Sequence, residues 1–78
     1  MNQTNDIFEY GILIRQKRKE LFLTEERVAE LADISDRELR NIESGTVIPK
    51  LDSVIKLGNA LDMDLGILNA LYRVPELT

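Results

Sequence analysis

Seventy-eight residues suffice for one small domain, whose limited core makes pairing with a second copy advantageous. The absence of cysteine and histidine excludes disulfides, thiolate metal sites and the commonest general base, and no serine (35, 44, 53) has an activating base nearby; no enzyme, metal or other cofactor is expected. An apolar content of 44% argues for a folded chain, while a net charge of −4 runs against the lysine and arginine excess usual in nucleic-acid binders.

The N-terminal segment MNQTNDIFEY has neither the basic start nor the apolar core of a signal peptide, and no apolar run approaches membrane-spanning length. A cytoplasmic protein with no membrane partner is expected. A first helix is read over 6–21, capped by Asn5 or Thr4, with Ile7, Phe8, Gly11, Ile12, Ile14, Arg18 and Leu21 marking its inner side. Gly11 would cost about 1 kcal/mol in a helix interior, so it marks a close approach to another helix. Thr24 is a good N-cap for a second helix over 25–32, whose apolar side carries Val28, Ala29, Leu31 and Ala32. Asp33-Ile34-Ser35 interrupts this pattern. Ser35-x-x-Glu38 then reads as a capping box for a third helix over 36–43, and Gly45 supplies a left-handed stop. Residues 46–49 form an extended link, kept out of helix by Pro49. A fourth helix over 51–61 is expected to bury Leu51, Val54, Ile55, Gly58 and Leu61. Asp64 caps a fifth over 65–72, with Leu65, Leu68 and Leu71 on one side and Ile67 and Tyr72 close by, and Pro75 breaks the tail at 74–78.

The second and third helices are too short, and joined by too few residues, to lie antiparallel. They must cross steeply, as in a helix-turn-helix spanning about 24–45. Ala29 falls where they approach most closely, and Leu39 and Ile42 plug the angle between them. Arg37, Arg40, Asn41 and Ser44 then point outward, spaced three, four and seven residues from Arg37 along one face. Arginine and asparagine on an exposed helix suit the major groove of DNA. Charge opposes this locally as well, since eight acids stand against three arginines between positions 20 and 43, a balance of −5. The basic residues gather instead at Arg15, Lys17, Arg18 and Lys19.

The ordered set of Gly11, Ile14, Arg15, Arg18, the run LTEERVAELADIS, the L-x-x-I-E-x-G of Leu39 to Gly45, Pro49, Leu51, Ala60-Leu61, Leu65 and Leu68 resembles the Xre/Cro-like helix-turn-helix family. Any short piece is weak, but the full set is specific and covers about three quarters of the chain. The resemblance implies an all-α, five-helix, lambda-repressor-like domain occupying the whole chain. The final run, LGNALDMDLGILNALYRVPE, also looks like the ends of HipB-type antitoxins, though more loosely. Three positions depart from the family pattern: Glu25 stands where glutamine often binds a phosphate, Asp33 replaces a turn glycine, and Lys50 replaces a serine or threonine cap.

By this resemblance Arg37 and Asn41 occupy base-reading positions, suited to guanine O6/N7 and adenine N6/N7 respectively. Asp36 also stands at a reading position, although an acid at a helix start is favoured by the dipole alone. Arg40 is open to base, to phosphate or to pairing with Asp36 four residues earlier. Lys17, Thr24, Ser44, Thr46 and Lys50 are candidate phosphate contacts, with plain solvation an equal alternative for each. The family equivalents of Arg18 and Glu43 form a structural ion pair. Ile67, Leu68, Leu71 and Tyr72 are more apolar surface than a small monomer covers, which marks a homodimer interface. The leading expectation is a homodimeric, sequence-specific repressor of double-stranded DNA. The alternatives are an antitoxin that represses its own operon and binds a toxin such as a HipA-like kinase, or an interaction module that has lost DNA binding.

Overall fold

Local hydrogen bonds punctuate this chain, and they account for where each helix starts and stops. The computed structural model describes residues 3–63, which hold four helices and no strand. They are α1 (Gln3–Glu20), α2 (Glu25–Ala32), α3 (Asp36–Ser44) and α4 (Leu51–Leu61). The fifth helix expected over 65–72, its cap Asp64 and the tail at 74–78 lie outside the described residues.

The first helix begins earlier than expected. Thr4 and Asn5 lie inside α1 and do not cap it. No glycine or proline stands between Gln3 and Asp6 to stop an extra turn, and each added residue gains an intrahelical bond once the helix is nucleated. At the other end the helix closes at Glu20. Phe22 turns left-handed (φ 57°), its N–H donates to Lys19 O at 3.0 Å, and Leu23 N–H donates to Arg18 O at 3.0 Å. Leu21 therefore belongs to the turn. The motif needs a positive φ, ordinarily supplied by glycine. Phe22 adopts it with its ring 95% exposed.

Thr24 Oγ1 accepts from Arg27 N–H at 3.1 Å, capping α2, and Asp33 adopts the left-handed conformation (φ 56°) at its end. Ser35 Oγ accepts from Glu38 N–H at 3.0 Å, and Gly45 (φ 72°) closes α3. The capping box is only half made, because the Glu38 carboxylate turns away from Ser35 and accepts a hydrogen bond from Ser53 Oγ on α4. Lys50 gives α4 no side-chain cap.

α1 packs on α3, while α2 packs on both α3 and α4. The shared core consists of Ile7, Tyr10 and Ile14 from α1; Val28, Ala29 and Ala32 from α2; Leu39 and Ile42 from α3; and Val54, Leu57 and Leu61 from α4. Tyr10 and Leu57 were not among the expected inner residues. Conversely, Phe8, Ile12, Leu21, Leu31, Leu51 and Ile55, all expected to face inward, are exposed. Each helix is covered along one narrow stripe. On α1 that stripe runs through Ile7, Tyr10, Gly11, Ile14 and Arg18, and on α4 through Val54, Leu57, Gly58 and Leu61. Both follow the three- and four-residue spacing of a single helix face. Phe8, Ile12 and Ile55 lie on the flank of these stripes, Phe8 beside Gly45 at the end of α3.

Gly11 is where the α1 and α3 backbones meet. A Cβ there would sit 2.7 Å from the carbonyl oxygen of Glu43 and closer still to that of Ile42. Gly11→Ala therefore has to push two helices apart at a backbone contact. The strain of overpacking, about 1–3 kcal/mol, is expected to outweigh the roughly 1 kcal/mol that alanine gains in helix propensity. Urea unfolding should show a lower midpoint, and a variant more stable than the parent would mean the helices are not so close.

Candidate nucleic-acid interface

α3 is nine residues long, and its inner face is fully committed. Leu39 and Ile42 are sealed in the core, and Glu43 is buried at its end. The remaining side faces out, with Asp36, Arg37, Arg40 and Ser44 exposed and Asn41 half-buried. Asp36, Arg37 and Arg40 enter no ion pair among the described residues, so Arg40 is not spent on Asp36. Beside this face the chain folds back to form a shallow concavity of about 290 Å³. It is lined by Arg37, Glu38 and Asn41 of α3 and by Val47, Ile48 and Lys50 of the following segment. One edge of the face thus carries two cations, an amide and the Glu38 carboxylate above an apolar wall.

The other edge is tied to α1 through charge. Arg18 Nε and Nη2 donate to Glu43 Oε2 and Oε1 at 2.8 and 3.1 Å, and Arg18 Nη1 donates to Leu23 O at 3.1 Å. The hydrogen bond to Glu43 raises the Arg18 guanidinium above its usual pKa. Desolvation opposes this, and the charges of Glu43 and Glu25 add to it. Arg18 is therefore a permanent cation, and the pair does not titrate through Arg18 in any ordinary pH range. Glu25, which replaces the family's glutamine, is half-buried and lends part of its field to Arg18.

The candidate phosphate contacts fall into two groups. Thr24 spends its oxygen as an acceptor in the α2 cap, which leaves its hydroxyl proton available to an anion. Lys50 is exposed at the head of α4, and Lys17 is half-buried on α1. Ser44 and Thr46 are arranged differently. Their hydroxyls both point to the Asn41 carbonyl, at 3.1 and 3.2 Å, and lie 3.1 Å from each other. With one proton apiece, neither has a spare donor in this arrangement. The dimer candidates Ile67, Leu68, Leu71 and Tyr72 lie outside the described residues.

Two interactions had no counterpart in the sequence pattern. Arg15 forms a second ion pair to Glu43, Nε to Oε1 at 3.7 Å; its position one turn before Arg18 was the available signal. Ser53, buried on α4, holds Glu38, and its only signal was a small polar residue on an otherwise apolar face. Among the described residues no cluster of acids could hold a metal ion, and no helix is long and apolar enough to cross a membrane.

Two short helices packed on one another, with Ala29 buried on the first and an open polar face on the second, define a helix-turn-helix domain. The family model described as helix-turn-helix matches residues 14–68, more than half of the chain. The chain belongs to the Xre/lambda-repressor-like helix-turn-helix family, a family of DNA-binding transcription regulators that are typically non-enzymatic. No curated protein and no solved structure matches it significantly.

If the Arg18–Glu43 pair holds α1 to the end of α3, Glu43→Ala should be among the most damaging single changes. Removing one partner of a buried pair costs about 3–5 kcal/mol, because the remaining charge is left uncompensated. Chemical denaturation checks this; a loss below about 1 kcal/mol would place the pair with exposed ion pairs of little consequence.

Proposed function

We propose that the protein is a homodimeric, sequence-specific DNA-binding repressor acting in the cytoplasm. The observation that carries the reading is the outward face of α3, where Arg37, Arg40 and Asn41 stand on a helix-turn-helix with no ion pair consuming either arginine among the described residues. Seated in a major groove, Arg37 would reach guanine O6 and N7 and Asn41 adenine N6 and N7, with Asp36 and Arg40 on the same face open to further base contacts. Lys17, Thr24 and Lys50 would meet phosphates. Ser44 and Thr46 would do so only by giving up their bonds to the Asn41 carbonyl.

Two copies paired through Ile67, Leu68, Leu71 and Tyr72 would set two recognition helices about 34 Å apart, matching a near-palindromic operator. Promoter occupancy would then be enough to repress. A second reading, an antitoxin repressing its own operon, is favoured by the exposed acidic side of α2. Glu26, Glu30 and Asp33 are all exposed there, with Leu31 among them at 45% exposure, a surface suited to a toxin with a basic contact face.

Titration of the purified protein against duplex DNA from its own upstream region, at several salt concentrations, tests the reading. Arg37→Ala should lose about 1–3 kcal/mol per half-site and relax preference at one base pair. Lys50→Ala should weaken all sequences alike and flatten the salt dependence by about one unit for each phosphate it no longer neutralises. Unchanged binding in both variants, or no binding by the parent at low salt, defeats the DNA reading.

The dimer is tested separately. Leu68→Glu should sediment as a monomer in analytical ultracentrifugation; sedimentation like the parent's would put the interface elsewhere.

A further inference from the structure

Two guanidiniums converge on the single carboxylate of Glu43, and they are not equivalent. Arg18 is used up, with Nε and Nη2 bonded to the two carboxylate oxygens, Nη1 bonded to the Leu23 carbonyl, and its side chain 13% exposed. Arg15, one turn earlier on α1, approaches the same carboxylate from the solvent side. Its Nε lies 3.7 Å from Oε1 and its side chain is 54% exposed. That separation is attraction between charges and too long for a hydrogen bond. The N–H donors of Arg15 are therefore unspent, and it has no other partner among the described residues.

One carboxylate faces two guanidiniums here; the field of Glu25 falls on Arg18, and Arg15 carries its positive charge on the solvent side of the cluster. The cluster is also well placed. Glu43 follows Arg40 by three residues and directly precedes Ser44, so Arg15 is held along the α1 edge of the outward face of α3. Lys50 occupies the opposite edge, across Arg37 and Asn41 in the concavity on the Ile42 side. A helix seated in a groove about 12 Å wide has a phosphate strand on either side of it.

We propose that Arg15 is a phosphate ligand, steered by the buried Glu43 carboxylate onto the DNA strand opposite the one met by Lys50. The proposal rests on the DNA-binding reading above. Arginine suits the role because its planar donor fork fits two phosphate oxygens at once. Glu43 would act as a positioning residue, itself fixed by Arg18.

The test compares Arg15→Gln, Arg15→Lys, Lys56→Gln and Arg37→Ala with the parent, by fluorescence anisotropy on the upstream duplex and on an unrelated duplex across a salt series. Lys56, paired with Asp52 on α4, controls for the loss of one positive charge from the whole protein. Arg15→Gln should weaken binding to both duplexes in the same proportion and flatten the slope of log affinity against log salt by about 0.9 per half-site. Arg15→Lys should recover the slope, and Lys56→Gln should leave it at the parent's value. If Arg15→Gln keeps the parent's slope while Arg37→Ala loses affinity, Arg15 does not touch phosphate and the DNA reading survives. If Lys56→Gln flattens the slope as much as Arg15→Gln, the effect is one of net charge and the proposal fails. If the parent binds neither duplex, both readings fall together.

Discussion

The seam between α1 and the end of α3 is the constraint on which the recognition surface depends. At Gly11 the two backbones touch, and about two turns further along α1 the Arg18 guanidinium grips Glu43 with two hydrogen bonds. Buried charge pairs are seldom net sources of stability, because desolvation offsets their attraction. Their geometry, however, is exacting. α3 has only nine residues, too few to be stable alone, and takes its orientation from its neighbours. The Glu43 pair fixes its C-terminal end against α1, and the Glu38–Ser53 hydrogen bond fixes its first turn against α4. Between these two ties Leu39 and Ile42 supply the burial.

The same ties bear on how an acidic chain can have an open cationic face. Of the eight acids between positions 20 and 43, Glu43 is enclosed by two arginines, Glu30 is paired with Arg27, and Glu25 lies within the field of Arg18. Glu38 is half-buried and directed toward Ser53. Asp36 is the one acid left exposed on α3 itself. The local balance of −5 leaves out Arg15 and Arg18, which lie outside positions 20–43 and answer Glu43; on the outward side of α3, Arg37 and Arg40 are paired with no acid among the described residues.

What could be read from the sequence was what short-range chemistry decides. Thr24, Ser35 and Gly45 each act on backbone groups a few residues away, so their caps and the left-handed stop at Gly45 were visible as residue types at fixed offsets, while Asp33 showed as a break in the apolar pattern. The limits of α2 and α3 followed from them. The faces of α1 and α4 were less legible. Phe8 and Tyr10, or Ile55 and Leu57, are equally apolar neighbours, and which one is covered depends on where the next helix lies. The start of α1 had no strong signal, since neither Thr4 nor Asn5 stops the helix. In the site, the outward residues of α3 followed from helical spacing. Arg18 and Glu43, 25 residues apart, were linked only through resemblance to a family. Arg15 and Ser53 act across helices on partners that no local pattern announces.

Phe22 has a practical consequence. The fold uses its backbone, which must turn left-handed, and makes almost no use of its ring. The chain contains no cysteine at all. A cysteine placed at position 22 would therefore be a unique thiol, well clear of the core and outside every helix. A fluorophore coupled there would report rotational tumbling, and so distinguish one copy from two, while leaving the packing of α1 on α3 undisturbed.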